Sequence, residues 1–160
     1  MKITVAKALK VKNRLVNKIS EVSSKIQTYN SVVMGKERPV SVTDLMTRRD
    51  QMVDTLINIK TAISLSNATV QSTIYLLAEL KGELNFLRGI DTTSGKQVNE
   101  ATWGSDAKIY EKDSVLDYAT VQGLIAQVEA DIDANQDRLD THNHTVEIDI
   151  FEGVLDLIKG

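Results

Sequence analysis

The chain has 160 residues, a formal net charge of −3, no cysteine, and only two phenylalanines, one tryptophan and four tyrosines. The absence of cysteine excludes a disulfide framework, a thiolate zinc site and a cysteine nucleophile, and the net negative charge disfavours a nucleic-acid binder, which needs a concentrated basic face. With so few aromatic residues, leucine, isoleucine, valine and methionine must supply the core, which favours helices packed on helices over a β-sandwich.

The first predicted element is a long helix that begins after Thr4, a good N-cap, and ends before Gly35 and Pro39. Its seam has the alternating spacing of 3 and 4 that is typical of a heptad repeat, and one lysine interrupts it. The seam residues are Val5, Ala8, Lys12, Leu15, Ile19, Val22, Ile26, Tyr29 and Val33. The basic residues of this helix are interpreted as a solvated surface.

A second long helix is predicted to begin after Ser41, with Asp44 three residues further as an acidic variant of the capping box. The same heptad spacing runs from Val42 to Ile63, so the first two helices should pack as an antiparallel hairpin with a left-handed supercoil. The polar run from Ser64 to Thr73 indicates a turn or kink before the next helix.

The third predicted helix has a shorter seam that runs from Leu77 to Leu87 and ends near Arg88 and Gly89. The segment at about 91–115 then loses the helical period, and its composition around Gly104 favours a small β-hairpin. This insert contains Trp103, the single tryptophan of the sequence. A polar excursion between helices is typical of a contact arm on the surface, so we expect Trp103 to contact a partner.

The fourth predicted helix begins after Asp117 and has a seam from Val121 to Val146 in which Asn135 and His142 occupy core positions. A buried asparagine in a seam tends to fix register or oligomer number, so we expect Asn135 to lie at an oligomer contact. A break at Gly153 is expected to precede an apolar tail that docks on this chain or on a neighbour. The tail residues predicted to make this contact are Phe151, Val154, Leu155 and Ile158.

The histidines in the stretch QDRLDTHNHTVEIDI raise the question of a metal site. On a strand His142 and His144 would share a face, whereas on a helix they lie about 200° apart and cannot bind one ion. Because the seam continues to Val146, helix is the better assignment, with His142 facing the bundle and His144 leaning outward. Asp140 and Glu147 could still join His144 at helical spacing, but we favour a helix end with local ion pairs. We predict no metal, no cofactor and no catalytic residues.

Several short motifs along most of the chain match those of one protein family. Ala6, Ala8 and Leu9 stand where that family opens with Ala-Glu-Ala-Leu, and residues 30–39 resemble its Asn, Val, Gly-Glu and Pro turn. Residues 63–69 and 138–148 resemble its Ile-Asn-x-Thr-Asn stretch and its ending. On these motifs the chain resembles small bacterial helical proteins that carry the name septicolysin and are otherwise of unknown function. The resemblance implies no catalytic residue, and it implies a packing role for His144, which stands where the family has tryptophan.

We therefore predict an all-α fold, an elongated antiparallel helical bundle or coiled coil of about four helices with a small β-hairpin insert. Residues 1–150 should form the bundle and residues 151–160 a docking tail. The favoured function is a non-enzymatic structural protein that forms homo-oligomers or binds other subunits of an assembly such as a phage virion. This hypothesis also predicts that removing residues 151–160 changes the oligomer. The alternatives are a septicolysin-like membrane-active protein and a metal-dependent enzyme centred on the histidines.

The expected location is the cytoplasm or a virion, without binding to nucleic acid or membrane. The N-terminal stretch carries charges every few residues and so lacks the apolar region of a signal peptide. No window approaches 18 uninterrupted apolar residues, so we predict no transmembrane helix.

Overall fold

The computed structural model describes residues 1–99 and 108–159. This part of the chain is mostly helical, with five helices and four short strands. In chain order they are β1 (Lys2–Thr4), α1 (Val5–Tyr29), α2 (Val42–Asn67), α3 (Gln71–Arg88), β2 (Gly95–Asn99), β3 (Lys108–Lys112), α4 (Tyr118–Thr145), β4 (Glu147–Asp149) and α5 (Val154–Lys159). The chain forms two compact units, one combining Met1–Gln71 with the chain from Asp140 onward and the other formed by Ser72–Leu139.

In the first unit, α1 and α2 begin at the caps that the sequence predicts. The Thr4 hydroxyl accepts a hydrogen bond from the Lys7 amide at 3.3 Å, and the Ser41 hydroxyl accepts one from the Asp44 amide at 3.3 Å. The guanidinium of Arg49, near the start of α2, donates to the Ser23 hydroxyl, near the end of α1, at 3.0 Å. The two helices therefore pack antiparallel, as expected for a hairpin.

Helix α1 ends four residues earlier than its apolar pattern suggests, because a side chain terminates it. The guanidinium of Arg38 donates to the backbone oxygens of Tyr29 at 3.2 Å and Asn30 at 3.3 Å, and so binds the carbonyls that a longer helix would use. Val33 is consequently exposed. The chain turns at Gly35, whose φ of 84° is readily adopted only by glycine.

The two ends of the first unit are joined by a small antiparallel sheet that the sequence analysis did not predict. Strand β1 pairs with β4, with Ile3 opposite Ile148. The Ile150 amide donates to the Met1 carbonyl at 3.0 Å, which extends the pairing by one residue. The pairing covers the apolar face of β4, and Ile148 and Ile150 are buried in the core of this unit.

The core of the first unit combines the facing seams of α1 and α2 with apolar residues from β1, β4 and α5. Its buried members are Ile3, Val5, Ala8, Val11, Leu15, Val22, Met52, Ile59, Ile63, Ile148, Ile150 and Val154. Five of these, Leu15, Met52, Ile59, Val5 and Val154, are the largest side chains that are almost completely buried. The short final helix is therefore an integral part of this core.

The second unit contains α3, the strand pair β2–β3 and most of α4. Leu87 of α3 and Val121 and Ile125 of α4 form its buried cluster, and Arg88 of α3 pairs with Glu129 of α4 at 2.7 Å. Asp117 caps α4 by accepting from the Thr120 amide at 2.8 Å, as predicted. The mostly helical fold and the small antiparallel sheet of the insert are thus confirmed. Closure of four helices into one bundle stays a prediction.

Candidate interaction surfaces

The two histidines lie on different sides of α4, as helical geometry requires. His142 is buried, and its Nε2 lies 3.3 Å from the hydroxyl of Ser66 at the end of α2. His144 is exposed, and its Nδ1 lies 2.8 Å from the backbone oxygen of Asp140, one turn earlier in the same helix. Within residues 1–99 and 108–159, no three histidine or acidic side chains converge in an arrangement that could hold a metal ion. His142 thus lies at a contact between α4 and the end of α2.

Asn135 lies half-buried on the seam of α4, at the position that the heptad spacing gives it. Its side-chain amide donates to the backbone oxygen of Asp131 at 2.8 Å, within the same helix. One of the two N–H groups of the side-chain amide is thus hydrogen-bonded within the helix. The contact of Asn135 with a second copy of the chain stays a prediction.

The strand pair β2–β3 forms an arm whose outward face carries exposed apolar side chains. Val98 lies directly opposite Ile109 in the antiparallel register, so their side chains share one face of the two-stranded sheet. They are 62% and 71% exposed, respectively. Trp103, which was predicted to contact a partner, lies outside the described residues. The arm therefore presents a β-branched pair that the rest of the described chain leaves uncovered.

The base of the arm is fixed by an ion pair. The Lys112 ammonium lies 2.6 Å from Asp91 Oδ2, and the Thr93 amide donates to Asp91 Oδ1 at 2.9 Å. The hydrogen bond from Lys112, followed by those from Thr93, holds the pKa of Asp91 well below its usual range. The same carboxylate raises the pKa of Lys112. This ion pair thus joins the segment before β2 to the last residue of β3.

We expect the Asp91→Asn substitution to increase amide hydrogen exchange in β2 and β3 by a few-fold at neutral pH. The effect is small because an exposed ion pair contributes little to stability. The pKa of Asp91 is depressed on folding, so its contribution is fully present above about pH 4, the ordinary titration range of an aspartate, and is lost as the pH falls through the folded pKa. Protection factors of the two proteins, compared at matched pH, should therefore converge only in strong acid. A difference that persists in strong acid would contradict a stabilising role for the Asp91–Lys112 ion pair.

The C-terminal residues that were predicted to contact a partner lie partly in the core and partly on the surface. Val154 is 0% exposed, while Leu155 and Ile158 are half-buried against the first core, so these three side chains pack within their own chain. Phe151, in contrast, is 61% exposed. Its ring lies against Gly153, where any Cβ would clash with it. Of the tail residues predicted to contact a partner, Phe151 is the one that the fold presents to solvent.

An open groove of about 920 Å³ lies between α2 and the segment that leads into α5. Three carboxylates line it, those of Asp44, Asp54 and Asp156, together with Arg48 and the exposed ring of Phe151. The Arg48 guanidinium donates to the backbone oxygen of Leu157 at 3.2 Å, so it is used in holding α5. The groove was not predicted from the sequence because its two walls are about 100 residues apart in the chain.

None of the helices in the described residues is long and apolar enough to cross a membrane. No family model matches the chain, and no curated protein and no solved structure matches it. Membership of the septicolysin family stays a prediction from the motifs quoted above. The surfaces of the chain itself are therefore what points to a function.

Proposed function

We propose that the protein is a non-enzymatic structural module that assembles with further copies of itself, as a component of a larger particle such as a phage virion. The observation that carries this proposal is the uncovered pair of Val98 and Ile109 on the arm. An isolated two-stranded sheet is at best marginally stable in water, and it gains stability when another layer covers its apolar face. A second copy of the chain can supply that layer.

The thin core of the second unit supports the same proposal. Its apolar cluster contains three buried side chains, Leu87, Val121 and Ile125, and Leu77 is buried outside this cluster. Other seam residues, among them Leu84 of α3 and Ile132 of α4, are only half-buried. A pair of helices covers its seam from one side only, and a further layer of helices is the usual way to close it. The second unit therefore has apolar surface available for contact with another copy.

The proposal is tested by the solution mass of the full-length chain, measured by light scattering after size exclusion over a range of concentrations. We expect a mass that is a defined multiple of the protomer mass of 17.7 kDa. The double variant Val98→Thr/Ile109→Thr keeps β-branched side chains but replaces apolar groups with hydroxyls. It should raise the concentration at which the oligomer dissociates by about tenfold or more.

The matched control is Val115→Thr, which makes the same chemical change at an exposed position outside the arm. This variant should assemble like the parent protein. A parent protein that stays at the protomer mass at every concentration would contradict assembly altogether. An oligomer that survives the arm substitutions would show that assembly proceeds through another surface.

A further inference from the structure

The face of the arm that carries Val98 and Ile109 also carries two side chains of opposite charge. Residues two apart on a strand lie on the same face, so Lys96 accompanies Val98 on β2, and Glu111 accompanies Ile109 on β3. Lys96 lies directly opposite Glu111 in the register. All four side chains are exposed, and on the other face Gln97 is half-buried while Tyr110, opposite it, is 44% exposed. The face thus consists of one row with opposite charges and one row with apolar groups.

The charges on this face have no ion-pair partner within the described residues. None of the salt bridges there includes Lys96 or Glu111. Their placement makes the face complementary to itself when it is rotated by 180° about one axis. When a second arm packs face to face after a two-fold rotation about an axis parallel to the strands, β2 of one copy lies over β3 of the other at the same level. Lys96 then lies over Glu111 of the second copy, and Val98 lies over Ile109.

We infer that this face of the arm binds the same face of a second copy across a two-fold axis parallel to the strands. The ion pair and the apolar contact each form twice, as an isologous contact requires. In other relative orientations the opposite charges of the two copies no longer face each other. With the axis perpendicular to the strands within the interface, a row of charges lies over a row of apolar groups. The pattern therefore selects the second copy of the chain and one orientation for it.

The contact is small, which defines its role in the proposed assembly. Four side chains from each copy bury far less than the roughly 1,200 Å² of a stable interface. The arms therefore set the orientation and register of two copies, and other surfaces of the assembly supply most of the buried area. Since the ion pairs lie at the surface, salt should weaken the contact.

This inference rests on the proposed function, and a charge-swap experiment tests it separately. Lys96→Glu places two carboxylates over each other in a homodimer, and Glu111→Lys does the same with two ammonium groups. Each variant also brings like charges together across the strands of its own arm. Mixing the two variants distinguishes these effects, because opposite charges then meet between copies while each arm keeps its own repulsion.

We expect each variant alone to have a dissociation concentration at least about tenfold higher than the parent protein, and an equimolar mixture to regain most of the loss as a mixed oligomer. The readout is the light-scattering mass at low and high salt. The control Lys81→Glu makes the same charge change at an exposed position of α3 and should assemble normally. The neutral double variant Lys96→Gln/Glu111→Gln creates no repulsion within the arm, and its oligomer should lose part of its salt dependence.

Two results would overturn the inference while leaving assembly intact. The first is an oligomer whose mass and salt dependence are the same in all the arm variants, because the arms then do not meet. The second is a mixture that dissociates like its two components, because the charges then act only within each arm. A parent protein that remains a protomer overturns both the inference and the proposed function.

Discussion

The Leu15→Ala substitution should lower the free energy of unfolding of the first unit by about 3–5 kcal/mol. Leu15 is 0% exposed and lies in the cluster that joins α1 to α2. Removing its side chain beyond Cβ loses the transfer free energy of the buried groups and leaves a cavity that the surrounding helices can only partly fill. Small domains are stable by about 5–15 kcal/mol, so this single change removes a large share of the stability.

Urea denaturation followed by circular dichroism measures the loss, and the chain offers a matched control. Leu65→Ala makes the same change near the end of α2, where the leucine side chain is 73% exposed. Leucine and alanine both favour helix, so this control should change stability by less than about 1 kcal/mol. Equal losses from the two substitutions would contradict the assignment of Leu15 to the core.

Much of the helical structure was predictable because local rules determine it. The caps at Thr4, Ser41 and Asp117 are short-range hydrogen bonds between a side chain and an amide three residues away. The apolar spacing likewise predicted part of the buried side of each helix. Ile59 and Ile63 are buried as expected, whereas Val11 and Thr55 are buried in place of their seam neighbours Lys12 and Leu56, which are half-buried. These features depend on residues within one or two turns, so they can be recognised without knowledge of the fold.

The pairing of β1 with β4 depends on residues about 145 positions apart, and no local rule predicts it. A signal for each strand was nevertheless present. Met1, Ile3 and Val5 alternate with polar residues, and Ile148 and Ile150 alternate with acidic ones, which is the two-residue period of a half-buried strand. Both stretches adjoin longer helical seams. The heptad spacing extended to Val146 and obscured the change in period that follows it.

The arm was predicted as an insert, but the residues that share each of its faces could not be derived from composition. Which residues share a face follows from the register, in which Val98 lies opposite Ile109 and Lys96 opposite Glu111. A shift of one residue in one strand would place Lys96 and Val98 on one face of the sheet and Ile109 and Glu111 on the other. The end of α1 was missed for a related reason, because Arg38 reaches its last carbonyls from the following loop.

The Val154→Asp substitution should release α5 from the first unit. Val154 is 0% exposed among apolar side chains, and a carboxylate placed there has no partner that could compensate for its lost hydration. An uncompensated buried charge costs several kcal/mol. The packing of α5, a six-residue helix with a single fully buried side chain, contributes less free energy than that. We therefore expect the segment to leave its site while α1 and α2 remain packed.

Hydrogen exchange measures this release at individual amides. The amides of Asp156 and Leu157 both donate to the Gly153 carbonyl at 3.2 Å, and they should lose essentially all protection in the variant. The amide of Ile63, in the interior of α2, should keep its protection. Val115→Asp introduces the same group at an exposed position and should change neither region. Full protection of Asp156 and Leu157 in Val154→Asp would contradict the buried position of Val154.

The same variant separates two ways in which the tail can affect assembly. Phe151→Ser removes an exposed ring but leaves the core intact, so it tests direct contact with a partner. Val154→Asp frees the whole segment and uncovers the wall of α2 where Arg48 now holds the Leu157 carbonyl. If Val154→Asp alone changes the oligomer, the tail acts by completing the fold of the first unit. If both variants change it, Phe151 is itself part of the interface, and the loss of residues 151–160 must weaken assembly for both reasons.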